Sequence, residues 1–289
     1  MRIAFIGIGT MGSPMVENIL KSGYEVNVYS RTKEKCDGVV EKGAQWAASI
    51  VDCVRDASFV VTMVGNPKDV EDVYFGQYGI IENVEEGTTL IDMTTSSPKL
   101  ARRIYAAAQE RNLFALDAPV SGGDIGAQKG TLAVMVGGDE AAFHKSLPIL
   151  TCMGENIRYE GESGMGQHTK LANQIAVAGA LAGVVEAMAY AERVGLDRQK
   201  MLDTIGTGAA GSWQLENNAP KMIENDFAPG FAIKHFIKDM KLADEESLDR
   251  NRALPVLEHV LEEFEGLAQT GRGDEGTQAL IRAYREEEV

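Results

Sequence analysis

The sequence predicts an α/β protein: a doubly wound, largely parallel sheet in the N-terminal part, then an all-helical part, the two joined by one long helix. Three observations carry this prediction. Apolar runs of strand length alternate with amphipathic runs of helical length up to about residue 160. Residues 166–194 then continue without a turn signal, and beyond Gly195 only helical periodicity remains.

Taken in order, residues 3–6 form an apolar strand that ends in Gly7-Ile8-Gly9-Thr10-Met11-Gly12. An amphipathic segment carrying Met15, Val16, Ile19 and Leu20 follows, stops at Gly23, and gives way to a strand at 25–29. A charged helical stretch at 33–42, a strand at 59–64, a helix from Pro67 and a strand at 89–93 extend the alternation. A helix over 98–111 and strands at 114–117 and 132–136 complete it.

The segment 166–194 reads as a helix of roughly 29 residues, about 43 Å long at 1.5 Å per residue. Its small residues Ala172, Ala176, Gly179, Ala180 and Gly183 are expected to admit close neighbouring helices. Lys170, Asn173, Gln174 and Glu186 interrupt its apolar run, which argues against a membrane span. Further helices are expected at 196–205, 214–223, 236–248 and 255–267. The expected boundary lies near Ser163, giving a dinucleotide-binding domain at 1–163 and a helical substrate and dimerisation domain at 164–289. The closing Glu286-Glu287-Glu288 reads as a solvated terminus.

Composition narrows the function. With 28 Lys and Arg against 43 Asp and Glu the net charge is −15, which disfavours nucleic acid and anionic membranes as partners. Cys36, Cys53 and Cys152 are odd in number and widely spaced, so neither a disulfide nor a metal site is expected and the thiols suit a cytoplasmic protein. A strand beginning at Arg2 leaves no room for a targeting leader.

The glycine-punctuated turn between a strand and a helix suits a dinucleotide pyrophosphate. Gly7 permits the turn, Gly9 removes a Cβ from the path of the phosphates, and Gly12 lets the helix pack closely, with the helix N-terminus facing the anion. At the end of the second strand, where an NAD enzyme carries an Asp or Glu, this chain has Ser30-Arg31-Thr32. A guanidinium and two hydroxyls, with no carboxylate to repel a 2′-phosphate, favour NADP over NAD, with NAD still possible.

Two further constellations carry chemistry. Asp117-Ala118-Pro119-Val120-Ser121-Gly122-Gly123 stands where a strand ends, and Ser121, Gly122 and Gly123 can turn hydroxyl and N–H donors toward a carboxylate. In Gly164-Met165-Gly166-Gln167-His168-Thr169-Lys170-Leu171-Ala172-Asn173, Lys170 and Asn173 lie three apart and share a helical face. A lysine in an apolar setting is expected to have a lowered pKa, which suits it to act as acid and base near neutrality.

Together with Lys234-His235-Phe236-Ile237-Lys238-Asp239-Met240, these motifs resemble the β-hydroxyacid dehydrogenase family over nearly the whole chain. That family includes 3-hydroxyisobutyrate dehydrogenases, tartronate semialdehyde reductases and glyoxylate or succinic semialdehyde reductases. The resemblance implies an N-terminal Rossmann domain and an all-α C-terminal domain. It implies Lys170 as catalytic acid/base, Asn173 as substrate-orienting, and Ser121, Gly122 and Gly123 as the carboxylate site. Thr95 would stand between nicotinamide and substrate, Phe231 would line the pocket, and Asp239 would lie beside it. Gly7, Gly9, Thr10, Met11, Gly12, Ser30, Arg31, Thr32, Val64, Thr95 and Lys238 would contact the cofactor.

On this resemblance the expected reaction is hydride exchange between NADP(H) and a small aldehyde or keto acid, of the glyoxylate or succinic semialdehyde reductase type, in a homodimer or homotetramer. An NAD(P)-dependent 3-hydroxyisobutyrate dehydrogenase is the alternative within the family. A catalytically silent dinucleotide-binding scaffold is the alternative outside it, and the presence of both Lys170 and Asn173 argues against that.

Overall fold

The computed structural model describes residues 1–285. The chain divides into two compact units, Met1–Lys170 and the part from Leu171 onward. Among the described residues the first unit holds one nine-stranded sheet. Its strands are β1 (Arg2–Ile6), β2 (Glu25–Tyr29), β3 (Gln45–Trp46), β4 (Phe59–Thr62), β5 (Thr89–Asp92), β6 (Phe114–Asp117), β7 (Val120–Ser121), β8 (Leu132–Gly138) and β9 (Gly154–Gly161).

The strand order is β3-β2-β1-β4-β5-β6-β8-β7, with β9 paired to β8. From β3 to β6 every pairing is parallel, so these strands end along a common edge. The order reverses between β1 and β4, and ligands of open α/β sheets bind outside the carboxyl ends of the strands at such a point. Beyond β6 the direction changes: β8 runs antiparallel to β6 and β7, and β9 lies parallel to β8.

Both faces of this sheet are core, which is why its strands read as unbroken apolar runs rather than as alternating ones. Ile3, Phe5, Val61 and Ile91 face one cluster, together with Met15, Val16 and Ile19 of the helix Gly12–Lys21. Ala4, Ile6, Val60 and Leu90 face the other, together with Val70, Tyr74 and Ile104. The helices Pro67–Phe75 and Pro98–Gln109 follow β4 and β5 after short connections. Each has Pro in its first turn and a side-chain cap, from Asn66 and Ser97 respectively, as their sequences require.

The expected helix at 33–42 is instead a 3-10 turn, Lys33–Cys36, followed by the short helix Asp37–Val40. The helix Glu140–Leu150 and strand β9 were not expected: the helix carries Pro148 in its interior, and β9 is mostly polar and partly exposed, so neither shows clear periodicity.

The long helix is Met165–Arg193, 29 residues. Its first turn belongs to the sheet unit, and the two compact units meet at Lys170 and Leu171. In the helical unit its residues Leu171, Ala178, Leu181, Val185 and Met188 pack with Met222, Phe236, Met240, Leu257, Phe264 and Leu280. Ala172, Ala176 and Gly183, expected to lie against neighbouring helices, are exposed, because the helix buries its larger side chains instead. By length and composition alone this helix is apolar enough to cross a membrane despite its four polar residues, as the core helix of a soluble protein also is, and its larger apolar residues pack in the core of the helical unit. Three of those residues, Lys170, Asn173 and Gln174, sit near its start and leave the middle apolar.

Arg198–Ile205, Ile233–Leu248 and Pro255–Leu267 match expected helices closely. The expected helix at 214–223 is two, Trp213–Asn217 and Ala219–Glu224, because Pro220 is accommodated in the first turn of a new helix and not inside a continuing one. A 3-10 segment, Thr277–Tyr284, ends the described chain, and Glu286, Glu287 and Glu288 lie outside the described residues.

Candidate active site

The glycine turn after β1 assigns different work to its three glycines. Gly7 has φ +104°, and a Cβ there would stand 2.1 Å from the Met63 carbonyl oxygen. A Cβ on Gly12 would stand 2.0 Å from the Gly7 carbonyl oxygen. These two positions are consumed by packing inside the protein. A Cβ on Gly9 meets nothing within 4 Å, so this position opens to the outside and leaves room for a large anion. No side chain caps the helix Gly12–Lys21 at Met11, and exposed Thr10 stands beside it. An open glycine before a helix start without a side-chain cap fits a pyrophosphate group.

At the end of β2, Ser30 is half-buried while Arg31 and Thr32 are exposed. Arg31 is not apart from carboxylates, as its sequence neighbourhood suggests: its Nη1 lies 2.7 Å from Oδ1 of Asp69. Asp69 sits in the first turn of the helix Pro67–Phe75. The Asn66 side chain donates to its Oδ2 at 2.9 Å, and its own N–H donates to Asn66 Oδ1 at 3.0 Å. The tertiary fold supplies the carboxylate that the strand end lacks. The Arg31 side chain is 78% exposed, so this pair is worth at most about 1 kcal/mol and leaves the guanidinium able to exchange partners.

The ends of β4, β5 and β6 form one polar network. Asp92 Oδ1 accepts from Thr62 Oγ1 at 2.8 Å and from the Thr94 N–H at 3.2 Å. Thr94 Oγ1 in turn accepts from the Val64 N–H at 3.0 Å, which ties the turn after β4 to the turn after β5. Half-buried Thr95 lies in that second turn, between buried Thr94 and Ser96. Asp117 accepts from the N–H groups of Gly164, at 2.7 Å, and Gln167, at 2.8 Å, and so caps the start of the long helix from the end of β6. Lys170 follows one turn later and is 6% exposed.

Burial raises both carboxylic acids to about 6. For Asp117 the two N–H donors and Arg102 pull the other way, and for Asp92 Thr62 and Thr94 do so.

After β7, Gly122 and Gly123 take φ +132° and +63° and are exposed, with half-buried Ser121 preceding them. These backbone angles bring the chain from β7 into the helix Gly123–Lys129.

Within the helical unit, Asn173 donates to Gln174 Oε1 at 2.8 Å, and Gln174 donates to Asp239 Oδ2 at 2.6 Å. Lys238 Nζ stands 2.9 Å from Asp239 Oδ1, and Asp239 is 2% exposed. Gln174 thus links three of the expected residues. Phe231 stacks on Phe236, with ring centroids 5.6 Å apart, as part of an aromatic row that continues to Phe264.

Asp69, Asp92, Gln167 and Gln174 were not singled out from sequence. Gln167 and Gln174 lie on the same helix as Lys170, at spacings of three and four, which was the available signal. Asp92 and Asp69 gave none.

Strand order and glycine turn define a Rossmann unit suited to a dinucleotide, followed by a helical unit. Residues 2–161 match the family described as the NAD-binding domain of 6-phosphogluconate dehydrogenase, and residues 164–284 match the NAD-binding domain of NADP-dependent 3-hydroxyisobutyrate dehydrogenase. An uncharacterised oxidoreductase of Bacillus subtilis is 53% identical over 98% of both chains. A Pseudomonas aeruginosa NAD-dependent L-serine dehydrogenase is 40% identical over 84% of both. The structure of Mycobacterium tuberculosis 3-hydroxyisobutyrate dehydrogenase with L-serine superposes with TM-score 0.91 at 31% identity, covering 98% of this chain and 99% of that one. The chain belongs to the β-hydroxyacid dehydrogenase family, as its motifs imply, and is an NAD(P)-dependent oxidoreductase.

Gly9→Ala is expected to leave thermal stability nearly unchanged while weakening dinucleotide binding in a fluorescence titration. Gly12→Ala should lower stability by about 1–3 kcal/mol or more in urea unfolding.

Asp92→Asn retains the Oδ1 acceptor that both Thr62 and Thr94 use. The folded Asp92 holds its proton up to about pH 6, above its ordinary 3.8, so its contribution to stability is complete at low pH and is lost as pH rises through 6. Between about pH 5 and pH 7.5 the wild type should therefore lose about 1 kcal/mol more stability than Asp92→Asn, measured by urea unfolding at each pH.

Proposed function

We propose that the protein is an NADP-preferring reductase of small aldehyde or keto acids, of the glyoxylate or succinic semialdehyde type, with Lys170 as its acid/base. The observation that carries this reading is the burial of Lys170: the residue is only 6% exposed, one turn beyond a helix start fastened to the end of β6 and to the turn after β5. A lysine is costly to bury and rarely so placed without a partner or a task.

The bound nicotinamide supplies the hydride for the carbonyl carbon. In the reducing direction protonated Lys170 gives a proton to the carbonyl oxygen, and in the oxidising direction neutral Lys170 takes it from the hydroxyl. Asn173, three residues on, orients the same oxygen from the same helix face. Ser121, Gly122 and Gly123 hold the substrate carboxylate, and Thr95 packs between substrate and ring. Ser30, Arg31 and Thr32 take the 2′-phosphate, Arg31 exchanging Asp69 for it. The exposed small residues of the long helix are offered to a second copy of the chain, giving a homodimer or homotetramer.

A second reading is an NAD-dependent hydroxy acid dehydrogenase of the 3-hydroxyisobutyrate or serine type. The Arg31–Asp69 pair favours it, because a carboxylate near the adenosine ribose suits hydroxyls better than a phosphate.

Lys170→Ala is expected to lower kcat by about 10²–10⁴-fold while the dissociation constant for NADPH stays within about threefold. Absorbance assays and fluorescence titration measure the two, and a variant that keeps a tenth of the activity removes Lys170 from this role. Initial rates with NADPH against glyoxylate, succinic semialdehyde, tartronate semialdehyde and methylmalonate semialdehyde identify the acid. Arg31→Ala should weaken NADPH about tenfold or more relative to NADH, and equal losses for both cofactors move the assignment to the second reading.

A further inference from the structure

Gln167 is 0% exposed, and both ends of its side-chain amide are hydrogen-bonded. Oε1 accepts from the Ser96 N–H at 2.8 Å, and Nε2 donates to the Thr94 carbonyl oxygen at 2.8 Å. The carboxamide therefore brackets Thr95 from both sides, pairing with the carbonyl of the residue before it and the N–H of the residue after it, as a neighbouring strand would. The main-chain N–H of the same residue donates to Asp117 at 2.8 Å. One residue thus joins the turn after β5, the end of β6 and the helix turn that carries Lys170.

The helix start does not need this amide in order to dock. Asp117 already holds two of its N–H groups, and Gly166 lies so close to the sheet that a Cβ there would stand 2.4 Å from the carbonyl oxygens of both Asp117 and Met135. What the Gln167 side chain adds is the fixed relation between the Thr94–Ser96 turn and the helix, three residues before Lys170 and on the same face.

We infer that Gln167 is a positioning residue, whose carboxamide locks the turn bearing Thr95 to the helix turn bearing Lys170 and so aligns the proton donor with the reacting carbonyl. This inference rests on the reading of Lys170 as acid/base. Misplacement of a reacting group by about 1 Å can cost about 10²-fold in rate, so a lock of this kind has a measurable effect.

The test uses the full-length enzyme, NADPH and the acid of the four-compound panel that turns over fastest, with Gln167→Met, which keeps length without hydrogen bonds, and Gln167→Glu, which keeps only the acceptor for Ser96. Gln167→Met is expected to lower kcat by about 10²-fold with NADPH affinity within about threefold, and to displace the limb of the pH–kcat profile that Lys170→Ala abolishes. In the Lys170→Ala background it should cause no further loss, because its effect passes through the amine. Should Gln167→Met not fold, Gln167→Glu must show the same absence of further loss. The inference is overturned if a folded Gln167 variant keeps kcat within twofold, if its loss multiplies that of Lys170→Ala, or if neither variant folds, which would make Gln167 a fastener of the fold alone. Near-normal activity of Lys170→Ala overturns the acid/base reading instead.

Discussion

The carboxylate of Asp117 at the end of β6 is the constraint on which the sheet unit's site depends. It accepts N–H groups from Gly164 and Gln167 and places its charge where the first turn of the long helix is electropositive. Burial pushes its pKa up, and the N–H groups of the helix start pull it back down. The placement of the helix's first turn, up to Lys170, then follows. Close packing of Gly166 on the sheet strengthens the same contact, so electrostatics and shape act together at one point.

A second buried acid, Asp92, does comparable work one strand away. It gathers Thr62 and Thr94, and Thr94 gathers Val64, so that the turns leaving β4 and β5 are held in one arrangement. Burial raises the pKa of both acids, so ionising them at neutral pH carries a cost that their hydrogen bonds partly offset. Their position along the carboxyl edge of the strands is where such a cost is met in return for fixed loop geometry. The core on both faces of the sheet supplies the rigidity against which these loops are held.

The Arg31–Asp69 pair shows how a local reading of residues is completed by distant ones. Ser30-Arg31-Thr32 contains no acid, yet Asp69, in the helix after the neighbouring strand β4, reaches Arg31. On the proposed function, selectivity is a competition between a phosphate and a carboxylate for one exposed guanidinium. That competition is set by the position of a helix cap, Asn66, as much as by the arginine itself.

The parallel strands, the glycine turn and the long helix were legible in the chain because each rests on local physics: apolar runs of fixed length, glycine at positions of positive φ or close approach, and a long run without turn residues. The shared helix carrying Lys170 and Asn173 was legible for the same reason. Local pattern did not reveal the antiparallel β7–β8 pairing, the polar edge strand β9 or the break before Pro220, and it did not reveal the partners of Asp69, Asp92 or Gln167. Those features arise when groups tens of residues apart satisfy one another's hydrogen bonds and charges. A buried amide or carboxylate acquires its role from the partner that folding brings to it, and no periodicity in its own segment records that partner.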